Sequence, residues 1–269
     1  MLLPFWAKGF FAVGMVACLL TGQQCIIQRV PPTPAISLSL VFPCFNEEGN
    51  IERTVREARA WIAASHPGSE IIVVNDGSSD CTREILSQLE RTLPELRVIH
   101  HETNSGYGAA ILSGCDGAKK DDIAIMDSDG QFRIQDLALL IPERKNVEFV
   151  AGRRQRRADP SVRRITAFLY GWLVRRVLGV RVRDINCGMK LFKRSVWPLI
   201  RPKYASGALF YAEMFLHLSQ KNIRWVQVPV PHYPRTSGTP TGVKPRVILR
   251  MFKELWKLKH QKKNERTRS

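Results

Sequence analysis

Short apolar runs alternate with segments of helical periodicity through the first half of the chain. Four runs have the length and β-branched content of buried strands: residues 36–42, 70–74, 96–100 and 122–126. Between them, apolar positions recur at helical spacing in residues 50–64, in residues 105–117, and in a segment that Ser79 or Asp80 can cap and that ends near Leu93. This alternation predicts an α/β fold with a mostly parallel central sheet flanked by helices.

The second half of the chain is less regular. Residues 161–179 interleave apolar positions with arginines, which predicts a basic amphipathic helix, and residues 224–230 predict a further strand. We expect three parts: an apolar segment with a Pro-rich linker (1–35), one α/β domain (36–242), and a basic amphipathic helix with a solvated tail (243–269).

The N-terminal segment has several interpretations. Residues 9–28 carry no charge between Lys8 and Arg29, but Thr21, Gln23 and Gln24 weaken the apolar run. A bilayer core needs roughly 20 apolar residues, so the segment is borderline as a membrane span. A cleaved signal peptide, a segment lying in the membrane interface, and a start codon placed upstream of the true one are the alternatives.

Charge is distributed unevenly along the chain, whose formal net charge is +17. Residues 1–140 contain 11 basic and 17 acidic residues, whereas residues 141–269 contain 30 basic and 7 acidic residues. The second half is therefore expected to meet an anionic partner: nucleic acid, an anionic membrane surface or a phosphorylated substrate. The six cysteines show no CxxC pair or zinc spacing, which favours reduced, mostly buried thiols.

Polar clusters follow three of the predicted strands, at residues 43–48, 75–80 and 127–131. Carboxyl ends of parallel strands share one edge of a sheet, so the three clusters are expected to form one site. Asp127 and Asp129, with an oxygen from Gln131, can chelate a hard divalent cation. Asp76 can accept hydrogen bonds from a base, Phe45 can stack on one, and Glu47 can bind a ribose. Tight turns and helix caps are the plain alternative for each cluster.

The motifs PCFNEE, NDGSSD, NSGYGAA, DSDGQ and AGRR, in this order, resemble those of the family 2 glycosyltransferases. The later motifs DINCGMKLF and VPVPHYPRTSGTPTG resemble the polyprenyl-phosphate branch, of the dolichyl-phosphate mannosyltransferase type. The resemblance extends over about residues 36–255. It implies a nucleotide-binding GT-A fold, a nucleotide-sugar donor, and Mg²⁺ or Mn²⁺ as cofactor.

The resemblance also assigns roles to residues. Nucleotide contacts would come from Pro43, Phe45, Glu47, Val74, Asp76, Asp127 and Ser128. The metal would be held by Asp127, Asp129 and Gln131. Arg153 would meet the donor or acceptor phosphate. Apart from the resemblance, Arg163, Arg164 and Arg235 are phosphate candidates because a guanidinium fork matches phosphate oxygens, and Arg153 and Arg164 are also catalytic candidates. His232 could contact phosphate or pack beside Tyr233. Asp184 is the candidate base, or a structural partner of Lys190.

Two departures from the family pattern matter. Relatives often have two acids before the Gly-Ser turn, where this chain has Asn75 and Asp76. Many relatives carry a Gly-x-Ser-Lys stretch, where this chain has residues 238–242, GTPTG. A lysine contact to phosphate at that place is therefore not expected.

The expected activity is transfer of a sugar, with inversion, to a polyprenyl (dolichyl or undecaprenyl) phosphate by a membrane-associated enzyme whose catalytic domain lies on the cytoplasmic face. A glycan or diphospho-lipid acceptor is the first alternative. Nucleic-acid binding is the second, although no helix-turn-helix, zinc-finger or RNA-binding motif supports it. A catalytically inactive scaffold is the third. The sugar, the nucleotide base and the oligomeric state are not fixed by the sequence.

Overall fold

A computed structural model describes residues 36–155, 161–205, 207, 209–235, 254–255 and 257–259, without the side chains of residues 161–169. The predictions for residues 9–28, for the Pro-rich linker and for most of 243–269 lie outside these residues, as do the side chains of Arg163 and Arg164. Within the described part of the chain, no helix combines the length and apolar character needed to cross a bilayer.

One seven-stranded sheet forms the centre of the domain. Its strands, in chain order, are β1 (Leu38–Cys44), β2 (Glu70–Asn75), β3 (Leu96–His100), β4 (Asp122–Ile125), β5 (Phe149–Arg154), β6 (Lys190–Lys193) and β7 (Trp225–Val230). The spatial order is β3-β2-β1-β4-β6-β5-β7. All neighbours pair in parallel except β6, which runs antiparallel to both β4 and β5.

Helices connect the strands and cover the sheet. They are α1 (Ile51–Ser65), α2 (Thr82–Thr92), α3 (Tyr107–Asp116), α4 (Ser161–Leu178), α5 (Trp197–Ile200) and α6 (Phe210–Gln220). The predicted α/β class, the first four strands and the helices between them are confirmed. The sequence pattern did not predict β5, β6, α5 or α6.

Apolar side chains on the two faces of the sheet form two cores. Val41 on β1 packs in one core with α3 and α6, whereas Leu40 and Phe42 pack in the other with α1 and α2. Strands covered on both faces are apolar at nearly every position, as the fully buried β1 shows. All four cysteines in the described part of the chain are free thiols. Three of them, Cys44, Cys115 and Cys187, are buried, and Cys81 is exposed.

Candidate active site

The segments that follow β1 and β4 meet at the carboxyl edge of the sheet. The Ser128 hydroxyl donates a hydrogen bond to the Pro43 carbonyl at 2.8 Å. Arg235 joins the same place, with one guanidinium nitrogen 2.6 Å from Asp129 Oδ2 and the other 3.6 Å from Glu47 Oε1. The structure thus brings together residues of the first and third polar clusters and a basic residue from far along the chain.

The second cluster lies against the first. The Asp76 backbone N–H donates to the Cys44 carbonyl at 2.8 Å. Asn46 accepts from the Ser79 backbone N–H at 2.8 Å, and its own N–H donates to the Ser78 hydroxyl at 2.9 Å. The expectation that the three clusters share one edge is therefore confirmed.

Asp127 is the more constrained of the two carboxylates. The Tyr107 hydroxyl donates to Asp127 Oδ1 at 2.5 Å and lies 2.8 Å from the Tyr211 hydroxyl. Burial and the nearby charge of Asp129 raise the pKa of Asp127 to about 6, from an ordinary value of 3.8. Two carboxylates that repel each other in a buried place favour a cation between them.

A loop from the second half of the chain closes the other side of Asp127. A β-carbon added at Gly188 would lie 1.9 Å from Asp127 Oδ2, so only glycine lets this backbone approach the carboxylate. Two residues on, Lys190 is fully buried, and its ammonium lies 3.4 Å from the centre of the Tyr211 ring and donates to the Cys187 carbonyl. Burial lowers the pKa of Lys190 to about 8.

Asp129 and Gln131 are tied to the segment that carries Arg235. Asp129 Oδ1 accepts from the Gln131 backbone N–H at 3.0 Å. Tyr233 and Gln131 exchange two hydrogen bonds, one from the Tyr233 N–H at 3.0 Å and one from the Gln131 side-chain amide at 3.3 Å. The Arg133 guanidinium stacks on the Tyr233 ring at 4.3 Å. Residues 231–235 therefore lie directly beside the carboxylate pair.

The oxygen ligands that Asp127 and Asp129 offer fit the divalent cation that the resemblance implies. Asp127 and Asp129 supply hard oxygen ligands, and Arg235 already balances part of their negative charge. Within the described residues, no group of three or more His, Cys, Asp or Glu side chains gathers into a metal site. Two carboxylates suffice for Mg²⁺ or Mn²⁺ bound with substrate phosphates, since Mg²⁺ retains waters and uses few protein ligands.

Asp76 makes contacts that place it inside the fold. Its carboxylate accepts from the Ser105 and Gly106 backbone N–H groups at 2.9 and 2.8 Å, and lies 2.7 Å from His101 Nδ1. Gly77 has a φ of +67° and lies so close to Thr103 that a β-carbon would be 2.5 Å from backbone. The turn at Gly77 thus packs directly against the β3–α3 loop.

The remaining nucleotide candidates differ in accessibility. Phe45 is 39% exposed at the rim of the site, so its ring is available to stack on a ligand. Glu47 is buried beside Arg235, and burial raises its pKa. Val74 is fully buried in the core against the face that α3 covers, so only its backbone can reach a ligand.

Asp184 is held by Arg154. Two guanidinium nitrogens of Arg154 each lie 2.8 Å from its oxygens, and the Arg154 backbone N–H donates at 3.1 Å. These contacts stabilise the charged carboxylate and support the structural alternative, with Arg154 as the partner instead of Lys190. Arg153 is partly buried at the end of β5, and the His232 ring packs edge-on against Phe132 at 5.4 Å.

Sequence reasoning did not single out Tyr107, Tyr211, Arg154 or Gly188, and it considered Lys190 only as a partner for Asp184. Lys190 and Gly188 lie inside a motif that was noted, and a lysine within the apolar run of MKLF was a usable signal. The contact between Tyr211 and Tyr107 joins residues 104 positions apart, and no local pattern could reveal it.

The chain is similar in sequence to several curated proteins. A dodecaprenyl-phosphate galacturonate synthase of Rhizobium johnstonii is 31% identical over 61% of this chain and 50% of its own length. A dolichyl-phosphate β-glucosyltransferase of Trichomonas vaginalis is 32% identical over 64% of this chain and 59% of its own length. The chain thus spans only about half of the length of the curated relatives it matches.

Solved structures share the fold at low sequence identity. Glucosyl-3-phosphoglycerate synthase of Mycobacterium tuberculosis, crystallised with Mn²⁺, uridine diphosphate and glucosyl-3-phosphoglycerate, superposes with a TM-score of 0.61 at 20% identity, over 82% of this chain and 80% of that one. Mannosyl-3-phosphoglycerate synthase of Rubrobacter xylanophilus superposes at 0.64 with 17% identity, over 87% and 76%. The model of the family "Glycosyl transferase family 2" matches residues 39–198, and the chain belongs to that family.

Proposed function

We propose that this protein is a metal-dependent, inverting glycosyltransferase that moves a sugar from a nucleotide-sugar to a polyprenyl phosphate. The observation that carries the proposal is the convergence of Asp127, Asp129, Glu47 and Arg235 at the carboxyl edge of the sheet. The acceptor class rests on the relatives, which are named for transfer to dodecaprenyl and dolichyl phosphates.

The nucleotide-sugar would bind beside the first polar cluster. Phe45 is exposed and could stack on the base, and Glu47 lies 3.6 Å from the Arg235 guanidinium that also contacts Asp129. In this proposal Asp76 contributes indirectly, because its carboxylate fixes the loop at Ser105 and Gly106 that borders the site.

Asp127 and Asp129 would hold Mg²⁺ or Mn²⁺, which when bound neutralises charge on the diphosphate leaving group. One lipid-phosphate oxygen would attack the anomeric carbon, forming a carbon–oxygen bond as the bond to the diphosphate breaks. The acceptor phosphate is already ionised at neutral pH, so it needs little help from a base. This agrees with the contacts of Asp184, whose oxygens are occupied by Arg154.

Positive charge must hold the two anionic substrates together. Arg235 lies at the carboxylate pair, and Arg153 lies at the end of β5 near the same edge. We propose that the Arg235 guanidinium exchanges its carboxylate partners for phosphate oxygens when substrates bind, since its planar fork suits either anion. Arg163 and Arg164 remain candidates for the acceptor phosphate.

The site is proposed to lie at the cytoplasmic face of a membrane, where nucleotide-sugars are available and the polyprenyl chain remains in the bilayer. The helix α4 offers exposed groups suited to that surface, namely Trp172, which is 54% exposed, and Arg176. Basic residues near an anionic membrane surface contribute about 1 kcal/mol each.

The test is a radiolabel transfer assay. Purified protein, Mn²⁺ and undecaprenyl or dolichyl phosphate are offered a panel of labelled nucleotide-sugars. The proposal expects label in the lipid phase, lost with EDTA and reduced at least about 100-fold in Asp129→Asn. Asp121→Asn is the matched control, because Asp121 is exposed next to the opposite end of β4.

Other outcomes redirect the proposal. Donor hydrolysis that needs metal but labels no lipid would leave the metal site in place and move the acceptor to a glycan or a diphospho-lipid. A product that retains the anomeric configuration of the donor would exclude direct displacement. If no donor turns over, or if Asp129→Asn matches wild type, the proposal fails.

A further inference from the structure

We propose that Tyr107 and Tyr211 are positioning residues that orient the Asp127 carboxylate for its metal, and that Lys190 holds the Tyr211 ring in place. The inference rests on the proposed function, because it takes Asp127 and Asp129 as metal ligands. It assigns a role in the site to Tyr107 on α3, Lys190 on β6 and Tyr211 on α6.

A hydroxyl pair fixes one oxygen of Asp127. Tyr107 stands at the first position of α3 and donates to Asp127 Oδ1 at 2.5 Å. The residue as a whole is 39% exposed, and its hydroxyl hydrogen-bonds to both Asp127 and Tyr211. The Tyr211 hydroxyl, 2.8 Å away on the buried face of α6, completes the pair.

The buried Lys190 ammonium holds the Tyr211 ring in place. The Tyr211 ring lies over the Lys190 ammonium at 3.4 Å, a cation–π contact in a buried place. Lys190 is in turn anchored to the Cys187 carbonyl. Tyr211 therefore has little freedom to rotate, and it passes that constraint to Tyr107.

The backbone at Gly188 fixes the other oxygen. Since a β-carbon there would lie 1.9 Å from Asp127 Oδ2, the carboxylate is packed against this loop. One oxygen is thus held by a hydroxyl and the other by close packing, which sets the plane of the carboxylate. A hydroxyl donor uses only one lone pair of Oδ1, so the remaining lone pairs stay available to a metal.

Partners of metal ligands of this kind are known to matter, since losing one costs about 10- to 100-fold in metal affinity or activity. Phenylalanine keeps the ring of Tyr107 and removes only its hydroxyl. If the ring alone mattered, Tyr107→Phe would bind metal as wild type does. The hydroxyl is therefore the group to remove.

The experiment measures Mn²⁺ binding by electron paramagnetic resonance, first with Mn²⁺ alone and then with Mn²⁺ and uridine diphosphate. We expect Tyr107→Phe to weaken Mn²⁺ binding about tenfold or more, and Tyr211→Phe by about two- to fivefold because it acts through Tyr107. The double variant should resemble Tyr107→Phe, because both hydroxyls serve one contact. Tyr204→Phe, at an exposed tyrosine before α6, is the matched control and should bind as wild type does.

A second measurement separates positioning from stability. In the transfer assay, raising Mn²⁺ should restore most of the activity of Tyr107→Phe, whereas its thermal unfolding midpoint should match that of wild type. Wild-type binding that is lost in Asp129→Asn but kept in Tyr107→Phe within about twofold would overturn this inference alone. Failure of wild type to bind Mn²⁺ in either condition would overturn the proposed metal site as well.

Discussion

Lys190 is the fully buried first residue of β6, and its burial has a free-energy cost that depends on pH. Its pKa is lowered to about 8 in the fold from an ordinary 10.5. Below pH 8 the lysine is charged in both the folded and unfolded states, so the full cost applies. Between these two values the unfolded chain binds more protons, so the contribution of Lys190 to stability rises with pH.

We expect the stability difference between Lys190→Met and wild type to shift with pH. From about pH 7 to about pH 10, wild type should gain about 2–3 kcal/mol relative to Lys190→Met, because the buried charge is relieved only in wild type. Urea unfolding at both pH values measures the change. Lys193→Met, at the exposed end of the same strand, should show no such shift, and a parallel shift there would contradict the argument.

At the scale of elements, a buried carboxylate attaches a loop to a helix. Glu213 on α6 is fully buried and accepts hydrogen bonds from the backbone N–H groups of Lys203 and Ala205 at 2.7 Å each, and from that of Tyr204 at 3.2 Å. Three consecutive backbone donors are satisfied by one side chain. Hydrogen bonds to a charged group are stronger than neutral ones, so this contact should hold the α5–α6 connection in place.

Glu213→Gln should destabilise the protein by about 2–3 kcal/mol, since one oxygen becomes an N–H₂ group facing backbone donors. The free energy of unfolding in urea measures the effect. Glu52→Gln is the comparison, because Glu52 forms an exposed pair with Arg56 on α1 and should change stability by less than about 1 kcal/mol. Equal effects of the two substitutions would show that the loop attachment adds nothing.

Elements that repeat a period could be predicted from the sequence, and those that depend on distant partners could not. The run EIIVV and its neighbours signal buried strands because both faces of the parallel sheet are covered. β6 has only four residues and begins with a buried lysine, and β5 ends in two arginines, so neither presents a strand pattern. Their antiparallel pairing depends on a return of the chain that local spacing does not encode.

The residues of the candidate site also fall into those that the sequence could predict and those that depend on distant contacts. Asp127, Asp129 and Glu47 were predictable, because each belongs to a polar cluster that follows a predicted strand, and parallel strands end at one edge. The role of Asp76 within the fold was not, since it depends on loop backbone about 30 residues away. Likewise Arg154, not Lys190, holds Asp184, a choice that depends on how β5 and the following loop are placed.

At the scale of the whole molecule, the charge asymmetry predicts that the second half of the chain faces an anionic membrane. Residues 141–269 contain 30 basic and 7 acidic residues, whereas residues 1–140 are slightly acidic. The carboxylates of the candidate site belong to the first part, so the anionic substrates proposed above would be attracted mainly by the second. Exposed charges are screened over about 10 Å at 0.1 M salt and about 3 Å at 1 M.

We therefore expect the protein to bind vesicles that contain anionic lipid, and to release them as salt rises from about 0.1 M to about 1 M. Arg176→Glu should weaken this binding at least about fivefold, because losing one basic residue near the surface costs about 1 kcal/mol. Co-sedimentation with vesicles over a lipid titration measures the binding constant, and neutral vesicles report the apolar contribution of side chains such as Trp172.

Arg91→Glu is the matched control for this prediction. Arg91 is exposed in the last turn of α2, as Arg176 is in the last turn of α4, and both substitutions change the net charge equally. If α4 faces the membrane, Arg91→Glu should bind within about twofold of wild type, since only charges within a Debye length of the lipid contribute. Equal losses in the two variants would mean that attraction depends on net charge alone and that α4 is not the membrane-facing helix.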